Sequence, residues 1–228
     1  LRAAGARGLI VAALSLHRQQ LLRLTPGGWD ELLAVPWDAH LRPCLALWAR
    51  RGLPLVVTRQ PSADAATIAA GLPAPARWGR RRLALTVEPR HVLFLDEFPA
   101  ADSVARLLPR AHAAAWHQLL AALSDARCCP RVYGGYGWQA LTQLAYVHAG
   151  SDLDLLLPVD STPHADAVVH ALSAPAWSGP RLDGELQFSD GTAIAWREWA
   201  AWRAGRTAQV LVKRLHGVAI ETPQGAFA

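Results

Sequence analysis

Residues 131–157 read RVYGGYGWQALTQLAYVHAGSDLDLLL. Arg131-Val132-Tyr133 predicts a short strand that enters a turn at Gly134-Gly135. A helix is predicted from Tyr136 to about Leu144, and Ser151–Leu157 predicts a second strand. A glycine turn, a helix and an acidic strand therefore follow one another within about twenty residues.

Two carboxylates stand at the start of the second strand. Asp152 and Asp154 are two residues apart, so a strand projects them from the same face. At about 5–7 Å their mutual repulsion reaches about 3 kcal/mol for an effective dielectric constant near 20. A divalent cation between them turns this repulsion into a binding site, and Mg²⁺ (or Mn²⁺) suits one or two carboxylates that share it with phosphate oxygens. We therefore take both aspartates as candidate metal ligands, on a strand that Pro158 is expected to end.

The Gly134-Gly135 turn has a complementary property. Backbone N–H groups at the start of the following helix point away from it, and glycine lets a ligand approach the backbone closely, which favours phosphate binding. Alone this is weak evidence, since Gly-Gly also forms ordinary tight turns, and an isolated Asp-x-Asp is more often a solvated edge. The proximity of the two features is what indicates a catalytic centre for phosphate chemistry.

The rest of the second half predicts a mixed sheet with packed helices. A helix is predicted over Ala113–Asp125, where Trp116, Leu119 and Leu123 share one face. Three further segments have the apolar content or the alternation of strands, and they are Leu182–Phe188, Thr192–Trp196 and Gln209–Leu215. The first two are joined at Asp190-Gly191, a strong hairpin signal.

The first half predicts a smaller α+β unit. Leu53–Arg59 and Arg80–Val87 have the composition of strands. Between them, Leu72–Gly79 contains prolines and a glycine that interrupt regular structure. We expect an α+β protein with a small α+β N-terminal domain over residues 1–110 and a catalytic domain over residues 111–228.

Composition narrows the possible partners. The 228 residues are 52% hydrophobic and carry a formal net charge of +5, with 23 basic side chains of which only Lys213 is a lysine. Arginine pairs with phosphate or carboxylate through two parallel hydrogen bonds, so an anionic partner is expected: a polyphosphate, an acidic protein or a nucleic acid. The arginines are scattered and no nucleic-acid-binding motif is evident, so we do not expect a nucleic-acid partner.

Neither a membrane span nor a disulfide framework is expected. No segment reaches the roughly 18 apolar residues that a membrane helix needs, and Gly8–Leu16 is interpreted as a short buried helix or strand, or as sequence upstream of the fold. The three cysteines, Cys44, Cys128 and Cys129, are odd in number and include an adjacent pair. This usage is typical of a reducing cytoplasm.

The order of turn, helix and Asp-x-Asp strand resembles the nucleotidyltransferase superfamily related to polymerase beta. Further residues resemble the phosphoribosyl-dephospho-CoA transferases of malonate decarboxylase, also called holo-acyl-carrier-protein synthases. The matching segments of the second half are Tyr133–Thr142, Tyr146-Val147, Ser151–Leu156, Leu182–Leu186, Trp196-Arg197-Glu198 and Val210–Lys213. Those of the first half, where the likeness is looser, are Trp48–Val57, Gly71-Leu72-Pro73 and Gly79–Arg82.

This resemblance implies an α+β nucleotidyltransferase-type fold and a definite reaction. The family transfers the phosphoribosyl-dephospho-CoA group of a triphosphoribosyl-dephospho-CoA precursor to a serine of the malonate decarboxylase acyl carrier subunit, and diphosphate leaves. The superfamily also uses a third carboxylate from a later strand. Asp183 and Glu185 share one face of Leu182–Phe188 and are the candidates, with Glu185 slightly preferred because it lies further into the strand.

The resemblance also suggests phosphate-binding residues. Lys213 and the run Arg80, Arg81 and Arg82 are candidates for binding the triphosphate or the carrier, although an arginine run is as often a solvated face. The superfamily has a serine at the position of Gly135, so a hydroxyl that would contact phosphate is missing while the backbone N–H groups of Gly134 and Gly135 remain.

Two other functions stay open at this stage. An adenylyltransferase that modifies a small molecule or a protein would use the same motif residues. A basic nucleic-acid-binding module without catalysis is the less favoured alternative, and its binding would weaken steeply with ionic strength.

Overall fold

The computed structural model describes residues 15–173 and 177–222. The chain divides into two compact units, one formed by residues up to Glu97 with Leu215–Gly217, the other by Phe98–Arg214 and the residues from Val218. Apart from its last two residues, the segment Gly8–Leu16 lies outside the described residues. Among the residues described, no helix is both long and apolar enough to cross a membrane.

The first unit is built on a five-stranded antiparallel sheet with the strand order β4-β3-β2-β1-β5. Its strands are β1 (Leu21–Leu24), β2 (Leu55–Val57), β3 (Ile68–Pro73), β4 (Arg82–Val87) and β5 (Val92–Asp96). Helices α1 (Pro26–Ala34) and α2 (Arg42–Arg51) follow β1. Thr25 caps α1 by accepting from the Gly28 N–H at 3.2 Å, and α2 ends at Gly52 in the left-handed conformation.

The strands predicted in this half are present, and the predicted break is shorter than expected. β2 and β4 lie within the two predicted segments. Leu72 and Pro73, however, belong to β3 and pair with Leu83 and Arg82. Pro73 is the last residue of its strand, a position where a missing N–H is tolerated.

The second unit contains a six-stranded mixed sheet with the order β11-β10-β9-β8-β7-β6. Its strands are β6 (Arg131–Val132), β7 (Leu153–Val159), β8 (Leu182–Phe188), β9 (Ala193–Ala195), β10 (Val210–Lys213) and β11 (Val218–Glu221). Its helices are α3 (Ala113–Asp125), α4 (Gly134–Thr142), α5 (Thr162–Leu172) and α6 (Trp196–Arg203). β7 and β8 are parallel and joined through α5, while the other pairs are antiparallel. The predicted mixed sheet with packed helices, and hence the α+β class, is confirmed.

Alternation along β7 and β8 separates the core from the opposite face. Leu153, Leu155 and Leu157 belong to the hydrophobic core, as do Leu182 and Leu186. The residues between them therefore project from the other face of the sheet. The predicted alternation of Leu182–Phe188 is confirmed, and it is this alternation that gathers the acidic side chains on one side.

Several details of the second unit differ from the sequence expectations. The return strand predicted over Thr192–Trp196 is the shorter β9, and Trp196 begins helix α6. Helix α4 begins at Gly134, so the two glycines form its first turn instead of a separate loop. β7 starts one residue after Asp152. Pro158 does not end β7, which continues to Val159. On one side of β7, β6 pairs only with Leu155 and Leu156. Pro158 therefore has no partner among the described strands on that side, where a missing N–H is tolerated.

The division between the units falls after Glu97, whereas the sequence placed a boundary near residue 110. The intervening segment forms a 3₁₀ helix over Ala101–Leu107. Ala101, Val104 and Leu108 pack into the hydrophobic core of the second unit. This segment has no strong helical period, which is why its packing partner is not evident from the sequence.

Candidate active site

The centre of the site is a pair of aspartates on neighbouring parallel strands. Asp154 on β7 lies opposite Asp183 on β8 in the strand register. Because paired residues of adjacent strands project from the same face, the two carboxylates are neighbours. Asp152, just before β7, is joined to this pair through Arg181. The structure therefore brings together the predicted Asp152, Asp154 and Asp183.

Gly134 lies directly against Asp154. The Tyr133 N–H donates to the Asp154 carbonyl at 3.0 Å, which fixes the start of α4 beside β7. Gly134 has a φ of 60°, and a β-carbon at this position would overlap the Oδ2 atom of Asp154. Glycine is therefore required here both for its backbone conformation and for the space that the carboxylate occupies.

Gly135 is different. A β-carbon at Gly135 would have Ser151 Oγ at 3.9 Å and the Tyr146 carbonyl oxygen at 4.0 Å as its nearest neighbours. A small side chain therefore fits at this position. The first N–H groups of a helix have no partner within the helix, so the first turn of α4 offers donors beside the Asp154 carboxylate.

The electrostatic environment of Asp154 is strongly unfavourable for its charge. Burial, followed by the negative charges of Asp183, Asp152 and Glu185, raises the pKa of Asp154 to about 6, while Arg181 acts in the opposite direction. A carboxyl whose pKa is raised by burial and by like charges is typical of a functional site. The site therefore concentrates more negative charge than its own basic residues balance.

Arg181 is a residue that the sequence interpretation did not single out. Its Nη1 lies 3.4 Å from Asp152 Oδ2 and its Nη2 lies 3.4 Å from Asp183 Oδ2. Arg181 is two residues before Asp183, so the alternation of β8 places both on one face, and this spacing was available in the sequence. The Arg181 side chain is 59% exposed, so these contacts are weak and a ligand can replace them.

Glu185 and Lys213 form a second, more buried pair. Lys213 Nζ lies 2.5 Å from Glu185 Oε1, and Glu185 is only 5% exposed. Lys213 reaches it from β10, two strands away in the sheet. Glu185 is therefore already paired with a cation, whereas Asp183 is 33% exposed and touches Arg181 only at long range.

The donor set suits a divalent cation that a substrate phosphate helps to hold. Across residues 15–173 and 177–222, no three His, Cys, Asp or Glu side chains are grouped so that they hold a metal ion by themselves. Magnesium commonly takes one or two carboxylates and completes its shell with phosphate oxygens and water. The excess negative charge around Asp154 is the observation that fits a cation here.

The predicted arginines lie in the first unit. Arg80 is in the left-handed conformation with a φ of 53°, and Arg82 is the first residue of β4. All three arginine side chains are exposed, and Arg81 makes one long ion pair of 3.8 Å with Asp38. This exposure is compatible with a solvated face and with an anion-binding surface.

Comparison with protein families gives matches over both units. A model of the phosphoribosyl-dephospho-CoA transferase MdcG C-terminal domain matches residues 97–224. A model of the phosphoribosyl-dephospho-CoA transferase MdcG N-terminal domain matches residues 17–96. The junction between the two matches falls within one residue of the division between the compact units.

Individual relatives carry the same description. The phosphoribosyl-dephospho-CoA transferase of Xanthomonas euvesicatoria pv. vesicatoria (strain 85-10) is 40% identical over 179 residues, which cover 75% of this chain and 80% of the relative. That of Bradyrhizobium diazoefficiens is 34% identical over 204 residues, covering 89% of this chain and 88% of the relative. That of Pseudomonas aeruginosa is 31% identical over 182 residues, covering 74% and 79%. No solved structure matches the chain.

Proposed function

The chain belongs to the phosphoribosyl-dephospho-CoA transferase family, and on that premise we propose that it attaches the prosthetic group of malonate decarboxylase. In this proposal the donor is triphosphoribosyl-dephospho-CoA, the acceptor is a serine of the acyl carrier subunit, and diphosphate is released. The observation that supports it best is the acidic cluster around Asp154, set against the first turn of α4. This combination suits a phosphoryl group held by metal and backbone donors.

The transfer exchanges one phosphorus–oxygen bond for another. The serine hydroxyl oxygen forms a bond to the phosphorus nearest the ribose. The bond from that phosphorus to the leaving diphosphate breaks, and the hydroxyl proton passes to a carboxylate or to water. A phosphodiester results, so the chemistry needs positioning, charge neutralisation and a proton acceptor.

Asp152 and Asp154 are the residues that would hold Mg²⁺ or Mn²⁺. When bound, the metal would neutralise phosphate charge and favour loss of the serine proton. Asp152 and Asp154 would themselves determine where the phosphates lie relative to α4. The N–H groups at Gly134 and Gly135 would donate to phosphate oxygens on the other side of the same carboxylate.

The contacts favour Asp183 as the third carboxylate. Position in the strand favours Glu185, but Glu185 is buried and paired with Lys213. Asp183 faces Asp154 in the register and is partly exposed, so it is accessible to a ligand or to the serine proton. In this assignment Glu185 positions Lys213, whose remaining ammonium donors would bind the leaving diphosphate. Arg80, Arg81 and Arg82 are proposed to bind the triphosphate or the carrier.

A transfer assay tests the proposal. Purified protein is mixed with Mg²⁺ and the apo carrier, and receives either the triphosphoribosyl precursor or ATP. We expect mass spectrometry to find one phosphodiester adduct on the carrier with an equal amount of diphosphate, from the precursor only. A carrier whose acceptor serine is replaced by alanine is the control. Efficient adenylylation from ATP with the precursor ignored would contradict the donor assignment, and no transfer from either donor would contradict the proposal as a whole.

A further inference from the structure

A cavity of about 540 Å³ opens at the N-terminal end of β8, beside the carboxylates of Asp152 and Asp183. It lies among the end of α5, the loop before β8 and the first two turns of α6. The residues that line it include Trp177, Arg181, Leu182, Trp196, Arg197 and Arg206. Its volume falls within the range of small-molecule sites in proteins.

The lining of this cavity is strongly basic. It includes Arg181, Arg197 and Arg206 and no carboxylate. The Arg197 guanidinium donates to the Leu182 carbonyl at 2.8 Å, which orients it without neutralising it. The Arg206 side chain has no ion pair with any residue in the described ranges. Three guanidiniums around one concave surface favour an anion with several oxygens, such as a diphosphate.

Two tryptophans supply the apolar part of the cavity. Trp177 is half-buried, and its Nε1 donates to the Pro180 carbonyl at 2.7 Å. Its ring packs on Trp116 with centroids 5.5 Å apart, so it is held in place. Trp196 is 6% exposed, and the Arg197 guanidinium lies 4.3 Å above its ring. The Trp196 Nε1 has no hydrogen-bond partner within the part of the chain that the structure describes.

We propose that this cavity binds the adenosine diphosphate portion of the donor substrate. The partly exposed ring of Trp177 suits a purine, because bases stack on aromatic side chains. The arginines suit the two phosphates that follow it. Trp196 is almost fully buried beneath Arg197, so its part is to support that guanidinium and not to stack on the base.

The location connects this cavity with the chemistry. Arg181 lines the cavity and also contacts Asp152 and Asp183 at 3.4 Å. A donor bound in this cavity would therefore need to pass only the Arg181 side chain to reach the carboxylates. The inference rests on the proposed function for the identity of the donor, whereas the cavity itself is defined by its own residues.

Binding is measured without catalysis. Isothermal titration calorimetry of the full chain with ADP, dephospho-CoA and 4′-phosphopantetheine separates the parts of the donor. We expect ADP and dephospho-CoA to bind with similar affinity and 4′-phosphopantetheine to bind much more weakly. Arg206→Gln should weaken ADP and dephospho-CoA about tenfold or more, because hydrogen bonds to charged groups are lost.

Arg106→Gln is the matched control, since Arg106 is also an exposed arginine of the second unit and does not line the cavity. We expect it to leave ADP affinity within about twofold, because an exposed charge that does not line the cavity is largely screened by salt. Trp177→Phe, which keeps an aromatic ring against Trp116, should weaken ADP severalfold with little effect on inorganic diphosphate. Unchanged ADP affinity in both Arg206→Gln and Trp177→Phe would overturn the inference.

The outcomes also separate this inference from the proposed function. ADP binding that Arg206→Gln weakens, with no transfer to the carrier, would support the cavity and contradict the reaction. Transfer with an unchanged KM for the donor in Arg206→Gln would support the reaction and contradict the cavity. If Arg206→Gln instead weakens binding of the apo carrier and leaves ADP unaffected, the basic surface docks the acidic protein, and the inference is wrong.

Discussion

The two sheets of this protein place their charged residues in opposite ways. On β4 of the first unit, exposed and buried positions alternate, and the arginine at its start faces solvent. On β7 and β8 of the second unit, Asp154 is partly buried and Glu185 is almost fully buried. Exposed charges contribute little to stability, whereas buried carboxylates destabilise the fold unless cations or donors compensate for them. We therefore expect function to be concentrated on the second sheet, and substitutions on the two sheets to differ in their effect on activity.

The largest effect is expected from Asp154→Asn. The change removes a candidate metal ligand, and loss of several kcal/mol of transition-state stabilisation corresponds to a decrease in kcat of about a thousandfold or more. The measurement is single-turnover transfer at saturating Mg²⁺, with circular dichroism to confirm folding. Asp102→Asn, at an exposed aspartate of the same unit, is the control and should retain normal turnover. A folded Asp154→Asn enzyme with near-normal turnover would contradict the assignment of Asp154 as a metal ligand.

The next experiment compares Asp183→Asn with Glu185→Gln. We expect Asp183→Asn to lower kcat about a hundredfold or more, as expected for loss of a ligand or general base. Glu185→Gln should lower kcat less and reduce the free energy of unfolding by about 1–3 kcal/mol, because Lys213 loses its buried partner. Rates and urea unfolding are measured on both variants. A larger loss of kcat in Glu185→Gln would return the role of third carboxylate to Glu185.

The two neighbouring glycines give a sharper contrast within one turn of helix. Gly134→Ala forces a side chain into the space of the Asp154 carboxylate at a positive φ, so we expect at least a tenfold lower kcat/KM and a loss of more than about 1 kcal/mol of stability. Gly135→Ala has room and should change stability by less than about 1 kcal/mol. Thermal unfolding and steady-state kinetics test both variants.

Gly135→Ser tests whether a hydroxyl at this position, which the resemblance to the nucleotidyltransferase superfamily leads us to expect, would contact the donor. The space beside Ser151 Oγ admits a serine, so the variant should fold normally and keep or lower the KM for the donor. Equal tolerance of Gly134→Ala and Gly135→Ala would show that the approach of Gly134 to Asp154 is unimportant.

Much of the second unit could be predicted from local pattern. The helix Ala113–Asp125 and the strand Leu182–Phe188 have the bounds that the sequence predicted, because their apolar periods of 3.6 and 2 are clean. The Asp190-Gly191 hairpin formed as expected, with the Phe188 N–H donating to the Thr192 carbonyl at 2.8 Å. That Asp152 and Asp154 lie close enough for their charges to interact could be predicted from their spacing alone.

Other features depend on contacts that a linear pattern does not contain. The pairing of Glu185 with Lys213 joins residues 28 positions apart and requires the strand order of the whole sheet. The cavity combines α5, α6 and the loop before β8, so its arginines and tryptophans are scattered in the sequence. Glu185 is favoured from the sequence because it lies further into the strand. The same position buries it and places it against Lys213.

A smaller effect is expected on the stability of the metal-free protein. With a pKa of about 6 in the native state against a reference of 3.8, Asp154 keeps a proton between about pH 4 and pH 6 that the unfolded chain has lost. The native state then binds more protons, so this residue lowers stability as the pH rises through that window. Asp154→Asn should therefore be about 1–2 kcal/mol more stable than the parent at pH 7 in EDTA, after allowance for partial exposure, with most of that difference gone at about pH 4. Urea unfolding at both pH values decides this, and a variant no more stable at pH 7 would contradict the assigned environment.

The smallest effect is expected where the charges are exposed. Replacing Arg80, Arg81 and Arg82 together by glutamine should change the free energy of unfolding by less than about 1 kcal/mol, because these side chains face solvent and the one ion pair, with Asp38 at 3.8 Å, is long. If the arginines bind the carrier, its KM should rise severalfold at low ionic strength while kcat stays the same. The difference should disappear at about 0.5 M salt, where charges are screened within a few ångströms. An unchanged KM for both carrier and donor at low salt would identify the run as a solvated face. A lower kcat would show that residues of the first sheet also take part in the reaction.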